Sequence, residues 1–151
     1  TYNRSHTLPR TYESLCRQNC KNFIWLIVDD GSADNTAELV RDWQSRDNGF
    51  EIQYIYKENG GMHTAHNAAY ANIHTELNTC IDSDDMLAVG AVEKILRKWA
   101  EVKDKGYAGI GFPCCCDRNN ALRLLCCGRN RRQEAGLSHG YHQCISGVPR
   151  V

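Results

Sequence analysis

The 151-residue chain carries 18 Lys and Arg against 18 Asp and Glu, so its formal net charge is zero, which argues against a nucleic-acid binder held mainly by charge. Its 42% hydrophobic and 24% charged content is ordinary for a globular protein, and the length is enough for one domain with a real core. No run of 18 apolar residues, the length that a membrane-crossing helix needs, is present.

Thr1 to His6 reads as a tight polar loop, and Thr7-Leu8-Pro9 as the start of a helix, since Pro is tolerated in the first turn. Leu8, Tyr12, Leu15 and Cys16 then recur at helical spacing. Phe23 to Val28 is apolar on both faces and predicts a buried strand, closed by the turn Asp29-Asp30-Gly31-Ser32. Asn35 with Glu38 three residues on suggests a variant capping box, and Leu39, Val40 and Trp43 give the buried side of the helix that follows. Ile52 to Tyr56 is the next strand, broken by Glu58-Asn59-Gly60-Gly61. The Ala-rich stretch from Met62 to about Ile73 suits a helix. Leu77 to Ile81 reads as a short strand ending in Asp82-Ser83-Asp84-Asp85. Val92, Ile95, Leu96 and Trp99 mark a helix running to about Lys103, and Tyr107 to Phe112 reads as one more short strand.

Strands alternating with helices imply βαβ crossovers and an α/β fold with a mainly parallel sheet. Ligands of such sheets bind at the carboxyl ends of the strands. The three polar loops at 29–32, 58–61 and 82–85 would then share one edge. Thr1 to His6 would be a fourth loop of the same kind, which predicts a strand upstream of it and a sequence cut just after the first strand of the sheet.

The acidic loop Asp82-Ser83-Asp84-Asp85 is the sharpest chemical signal. In an extended segment residues i and i+2 face the same way. Two carboxylates about 6 Å apart repel by roughly 3 kcal/mol at an effective dielectric near 20, and a divalent cation reverses that sign. Hard cations such as Mg²⁺ or Mn²⁺ favour carboxylate oxygens and substrate phosphates. The bland alternative is a solvated acidic turn. Asp29 and Asp30 at their strand end could accept from a base N–H or from ribose hydroxyls, or could form an ordinary Asp-Gly turn. Gly60 and Gly61 permit close backbone approach to a ligand, before a helix whose free N–H groups suit a phosphate. His63 and His66 on that helix could meet a diphosphate or flank a metal, although capping or exposed histidines are commoner. The dinucleotide-binding G-x-G-x-x-G and the P-loop G-x-x-x-x-G-K-[ST] are absent from the sequence.

Taken in order, Thr1-Tyr2-Asn3-Arg4, the stretch from Ile27 to Thr36, the stretch from Lys57 to Asn67, and Asp82-Ser83-Asp84-Asp85 resemble the family 2 glycosyltransferases with the GT-A fold. The resemblance covers about residues 1–111 and implies a three-layer αβα, Rossmann-like domain whose first strand precedes Thr1. It implies that Thr1, Tyr2 and Arg4 lie near the nucleotide, and that Asp29 or Asp30 contacts the base, usually uracil. Asn59, Gly60 and Gly61 would line the sugar-diphosphate site. Asp82 would lie near the ribose and share the metal with Asp84, which would hold Mn²⁺ or Mg²⁺ on the diphosphate; Asp85 is a third carboxylate without an assigned role. The implied reaction is inverting transfer of a sugar from a nucleotide-sugar, UDP-linked in most relatives, to a hydroxyl of a glycan or lipid-linked acceptor in polysaccharide synthesis at the cell envelope. Relatives carry the base that deprotonates the acceptor downstream of the acidic loop, and no segment here matches it. A degenerate, non-catalytic nucleotide-binding module is the alternative. A phosphotransfer receiver would need a separated phospho-acceptor Asp and a later strand-end Lys, which this sequence lacks.

Residues 112–151 fall outside the resemblance. They hold six of the nine cysteines (Cys114, Cys115, Cys116, Cys126, Cys127 and Cys144) and are rich in Arg. A divergent insert, a zinc site through Cys114, Cys116, Cys126, Cys127 or His139, and translation in a shifted reading frame all remain open, with the last preferred. The front half, with scattered Cys16, Cys20 and Cys80, reads as a cytosolic domain with reduced thiols. Peripheral attachment to the inner face of the membrane fits the resemblance.

Overall fold

The computed structural model describes residues 1–111 together with two short strands at 125–126 and 145–147. Four helices, α1 (Leu8–Cys16), α2 (Thr36–Gln44), α3 (Met62–Asn72) and α4 (Ala91–Val102), alternate with strands β1 (Ile24–Asp29), β2 (Glu51–Tyr56), β3 (Leu77–Thr79) and β4 (Ile110–Gly111). The later strands are β5 (Leu125–Cys126) and β6 (Ile145–Gly147).

The main sheet has the order β2-β1-β6-β3. β1 and β2 run parallel, from Ile24 opposite Glu51 to Asp29 opposite Tyr56. β6 is antiparallel to both β1 and β3, so β1, β2 and β3 share one direction. The position beside β1 is therefore filled by β6 at Ile24 and Trp25. Thr1 extends that position at the carboxyl end: its nitrogen donates to the Val28 carbonyl and its own carbonyl accepts from Asp30 N–H. β3 stops at Thr79, two residues short of the strand expected to reach Ile81. β4 pairs only with β5, in a separate two-stranded ladder, rather than extending the main sheet.

β1 is buried on both faces, and its alternation assigns the layers. Trp25 and Ile27 pack with Leu8, Tyr12 and Leu15 of α1, Val40 and Trp43 of α2, and Val92 of α4. Tyr12 stacks on Trp43 at 4.4 Å between ring centroids, and Trp43 lies 5.7 Å from Trp25. Leu26 and Val28 face the other way, against Ala65, Ala68 and Ala69 of α3. The small residues of α3 let that helix lie close to the sheet. The result is the expected αβα sandwich, with α1, α2 and α4 on one face and α3 on the other.

The capping box expected at α2 does not form. Asn35 makes no side-chain cap; Asp34 takes the role, its Oδ1 accepting from Thr36 N–H at 3.1 Å and from the Thr36 hydroxyl at 2.5 Å. Among the described residues no helix is long and apolar enough to cross a membrane, and Cys16 and Cys20 are free thiols. The zinc and reading-frame alternatives for the tail lie outside the described residues.

Candidate functional site

The loops that follow β1, β2 and β3 meet at one sheet edge, because the three strands run the same way. They are tied together by named contacts. Asn3 N–H donates to Ser32 Oγ and Ala33 N–H to Asn3 Oδ1, both at 2.8 Å. Ser5 N–H donates to Asp34 Oδ2 at 3.0 Å. These bonds hold Thr1 to His6 against the loop after β1. Gly31 has φ 85°, and a Cβ there would lie 2.7 Å from the backbone nitrogen of Asn59. Only glycine lets the loop after β1 pass so close to the loop after β2.

A cavity of about 560 Å³ opens at this edge, a size suited to a small-molecule ligand. Its rim is polar: Thr1, Tyr2 and Arg4 from the first loop, Asp30 from the end of β1, Asn59 and Gly61 after β2, and Asp82, Ser83 and Asp84 after β3. Its floor is apolar, made by Leu26, Val28, Ala65, Ala69 and Cys80. Eight of the ten residues nominated from the sequence line it; Asp29 and Gly60 do not.

The adjacent carboxylates Asp29 and Asp30 have different surroundings. Asp29 is fully buried, with Oδ2 accepting from the Tyr54 hydroxyl at 2.5 Å and Oδ1 from Ser32 N–H at 2.8 Å. Burial and the neighbouring Asp29 together push the Tyr54 phenol well above its usual range. Asp30 is 4% exposed and sits on the cavity side. Its Oδ1 accepts from Lys57 Nζ at 2.5 Å, Gly60 N–H at 3.1 Å and the Thr64 hydroxyl at 3.5 Å. Burial works to raise the Asp30 pKa, but Lys57 and the Gly60 and Gly61 amides outweigh it and hold the carboxyl below the ordinary value.

Gly60 was expected to admit a ligand to the backbone. A Cβ there would instead lie 2.7 Å from Thr64 Oγ1 and 3.2 Å from Lys57 Nζ, so its missing side chain makes room for the groups that hold Asp30. Lys57 and Thr64 were not singled out from sequence. Nothing local marks them, because their partner lies across the β1–β2 register. Of the two histidines on α3, His66 lines the cavity and lies 6.3 Å from the Tyr70 ring; His63 is exposed and outside the lining.

The acidic loop after β3 is a turn, with Asp85 N–H donating to the Asp82 carbonyl at 3.0 Å. Asp84 is exposed and accepts no hydrogen bond or ion pair among the described residues. The segment just beyond is held by buried polar residues of α1 and of the turn that follows it. Thr11 Oγ1 donates to the Asp85 carbonyl at 2.8 Å, Leu87 N–H to Ser14 Oγ at 3.1 Å, and Gln18 Nε2 to the Ala88 carbonyl at 2.9 Å. Thr11, Ser14 and Gln18 are each no more than 2% exposed. The sequence reading missed this stripe, whose signal was two polar residues on the apolar face of an amphipathic helix, continued by Gln18 just past its end.

Among the described residues no three metal-ligating side chains cluster. Asp82 and Asp84 both line the same cavity, and carboxylates are the ligand type that hard cations take. Mg²⁺ and related ions take few protein ligands and complete their shell with phosphate and water.

The family model for glycosyl transferase family 2 matches residues 1–150, and so continues through the stretch beyond residue 111. Glycosyltransferase GlyA of Streptococcus pneumoniae serotype 4 is 32% identical over 100 residues, 66% of this chain and 14% of that protein. The GalNAc(5)-diNAcBac-PP-undecaprenol β-1,3-glucosyltransferase of Campylobacter jejuni is 26% identical over 140 residues, 91% of this chain and 43% of that protein. The chain thus spans less than half the length of either relative. In structure it is similar to S. aureus TarS 1-349, with a TM-score of 0.56 and 25% identity over 70% of this chain and 31% of that one.

Proposed function

Because the chain belongs to glycosyl transferase family 2, we propose that its cavity binds a nucleotide-diphospho-sugar, with uridine as the nucleoside, for transfer of the sugar to an acceptor hydroxyl with inversion. The supporting observation is convergence: residues nominated from four separate sequence segments line one cavity at the carboxyl ends of three parallel strands.

In this reading Asp30 accepts from the uracil N–H, and the apolar floor under the rim takes the face of the base. Arg4 offers a guanidinium to the phosphates from the first loop. Asn59 and Gly61 line the sugar-diphosphate region, at the start of α3, where unpaired N–H groups favour negative charge. Asp82 and Asp84 would hold Mn²⁺ or Mg²⁺. When bound, the cation supplies charge stabilisation for the departing diphosphate. The acceptor oxygen attacks the anomeric carbon from the face opposite the diphosphate, its proton passing to a base of the kind that relatives carry downstream of the acidic loop, and the new glycosidic bond forms as the sugar–phosphate bond breaks and the nucleoside diphosphate leaves with the bonding pair.

The Campylobacter relative is named for a PP-undecaprenol-linked substrate, which supports a glycan or lipid-linked acceptor and work at a membrane surface. Calorimetric titration of uridine diphosphate, with Mn²⁺ and then with chelator, tests the donor site. Binding that requires Mn²⁺ is expected; a folded protein that binds in neither condition overturns the reading.

A further inference from the structure

The hydrogen bonds that Asp30 accepts from Lys57 and Gly60 fall on one oxygen, Oδ1, with the Thr64 hydroxyl 3.5 Å from the same atom and 2.8 Å from the Gly61 carbonyl. Lys57 is 24% exposed in its side chain and Asp30 6%, so the ion pair between them is largely withdrawn from water. Lys57 Nζ is itself fixed by a second bond, to the Glu58 carbonyl at 2.5 Å. A carboxylate has lone pairs for four partners. Among the described residues the direct hydrogen bonds to this carboxylate fall on Oδ1, and Asp30 lines the cavity, so Oδ2 is the oxygen with capacity to accept from a ligand. Any side chain at residue 60 would press on both Lys57 Nζ and Thr64 Oγ1, so the local backbone is built around this arrangement.

We infer that Lys57 is a positioning residue for the donor's base: by taking Oδ1 of Asp30 it fixes the carboxylate plane so that Oδ2 meets a ring N–H. This rests on the donor-site reading above and adds a residue that touches no substrate. A ring that presents an N–H at that edge, as uracil does, is accepted. One that presents a bare ring nitrogen, as cytosine does, would set a lone pair against a carboxylate, so Lys57 helps to set base choice.

The test uses Lys57→Met, which keeps the aliphatic stem and removes the charge, and Lys57→Arg, which restores a donor. Affinities for uridine, cytidine and uridine diphosphate are measured by calorimetry, the last with and without Mn²⁺. Lys57→Met should weaken uridine and uridine diphosphate by the same factor, about tenfold, leave the Mn²⁺ dependence unchanged, and narrow the preference for uridine over cytidine. Lys57→Arg should recover most of the loss. A merely structural role would lower the melting temperature without moving the uridine-to-cytidine ratio. If Lys57→Met does not fold, Lys57→Gln is read in the same way. Wild-type protein that binds while the folded variant binds equally, with the same base preference, overturns this inference alone. Wild-type protein that binds neither uridine nor its diphosphate overturns the donor-site reading and this inference with it.

Discussion

Asp29 ends β1 and Asp30 and Asp34 follow it, and Asp82, Asp84 and Asp85 follow β3, yet the protein treats these two acidic segments in opposite ways. In the first, side chains are consumed by the structure. Asp29 is sealed between Tyr54 and Ser32, Asp34 holds Thr36 and Ser5, and only one oxygen of Asp30 is left over. In the second, the backbone is what the protein holds, through Thr11, Ser14 and Gln18, while Asp84 and Asp85 stay exposed. A carboxylate satisfied by the fold stabilises the fold. One that is positioned but left without partners can bind cations. The comparison separates acidic residues that build this edge of the sheet from those the fold leaves exposed.

That contrast can be broken most sharply at Asp84. Asp84→Ala should abolish the Mn²⁺-dependent part of uridine diphosphate binding and leave the melting temperature unchanged; unchanged Mn²⁺-dependent affinity in calorimetry would remove Asp84 from the metal site. Asp30→Ala should act on both sides of the comparison. It should weaken uridine diphosphate about tenfold with or without Mn²⁺, and lower stability by about 1–3 kcal/mol as Lys57 and Gly60 N–H lose their acceptor, read by titration and by denaturant unfolding. A loss of affinity seen only with Mn²⁺ would move Asp30 away from the base. Tyr54→Phe should cost about 1.5–3 kcal/mol, the range for a hydrogen bond to a charged group, with nucleotide affinity intact. A large affinity loss there would place Asp29, not Asp30, against the ligand.

The smallest effect concerns acid. Burial alone would raise the Asp34 pKa, but the bonds from Thr36 and Ser5 lower it to about 2. A carboxyl depressed in the folded state contributes stability above its unfolded pKa and loses it as pH falls through the folded one. The Asp34 contribution should thus be complete above about pH 4 and fade towards pH 2. Asp34→Asn should remove part of that acid sensitivity in a pH series of melting temperatures.

Much of this was legible in the sequence. The run from Phe23 to Val28 announced a strand buried on both faces, and the polar loops announced the edge where strands end. What sequence left open was which of two adjacent carboxylates lines the cavity. The pleat decides that much. Trp25, Ile27 and Asp29 continue one face of β1, and Leu26, Val28 and Asp30 the other, where α3 and the cavity lie. Choosing between them required knowing which helix covers which face. Lys57 was hidden for a related reason, since its partner sits across a strand pairing that no local pattern encodes. At α2, Asn35 and Asp34 are both good helix-capping types, and the docking of Ser5 onto Asp34 settled the choice.

The α1 stripe also carries a consequence for the order of folding. Thr11, Ser14 and Gln18 reach partners 70 to 74 residues away along the chain. Contacts between such distant segments close large loops and form late, after local helices and hairpins. The turn that presents Asp82 and Asp84 is therefore set only when the first helix and the last third of the described chain have docked. A folding intermediate with β1, β2 and α2 assembled would already hold the buried carboxylates of the first loop, while its acidic turn was still unformed. The proposed affinity for Mn²⁺ should accordingly recover in the final kinetic phase of refolding, and its earlier recovery would separate the acidic turn from that docking step.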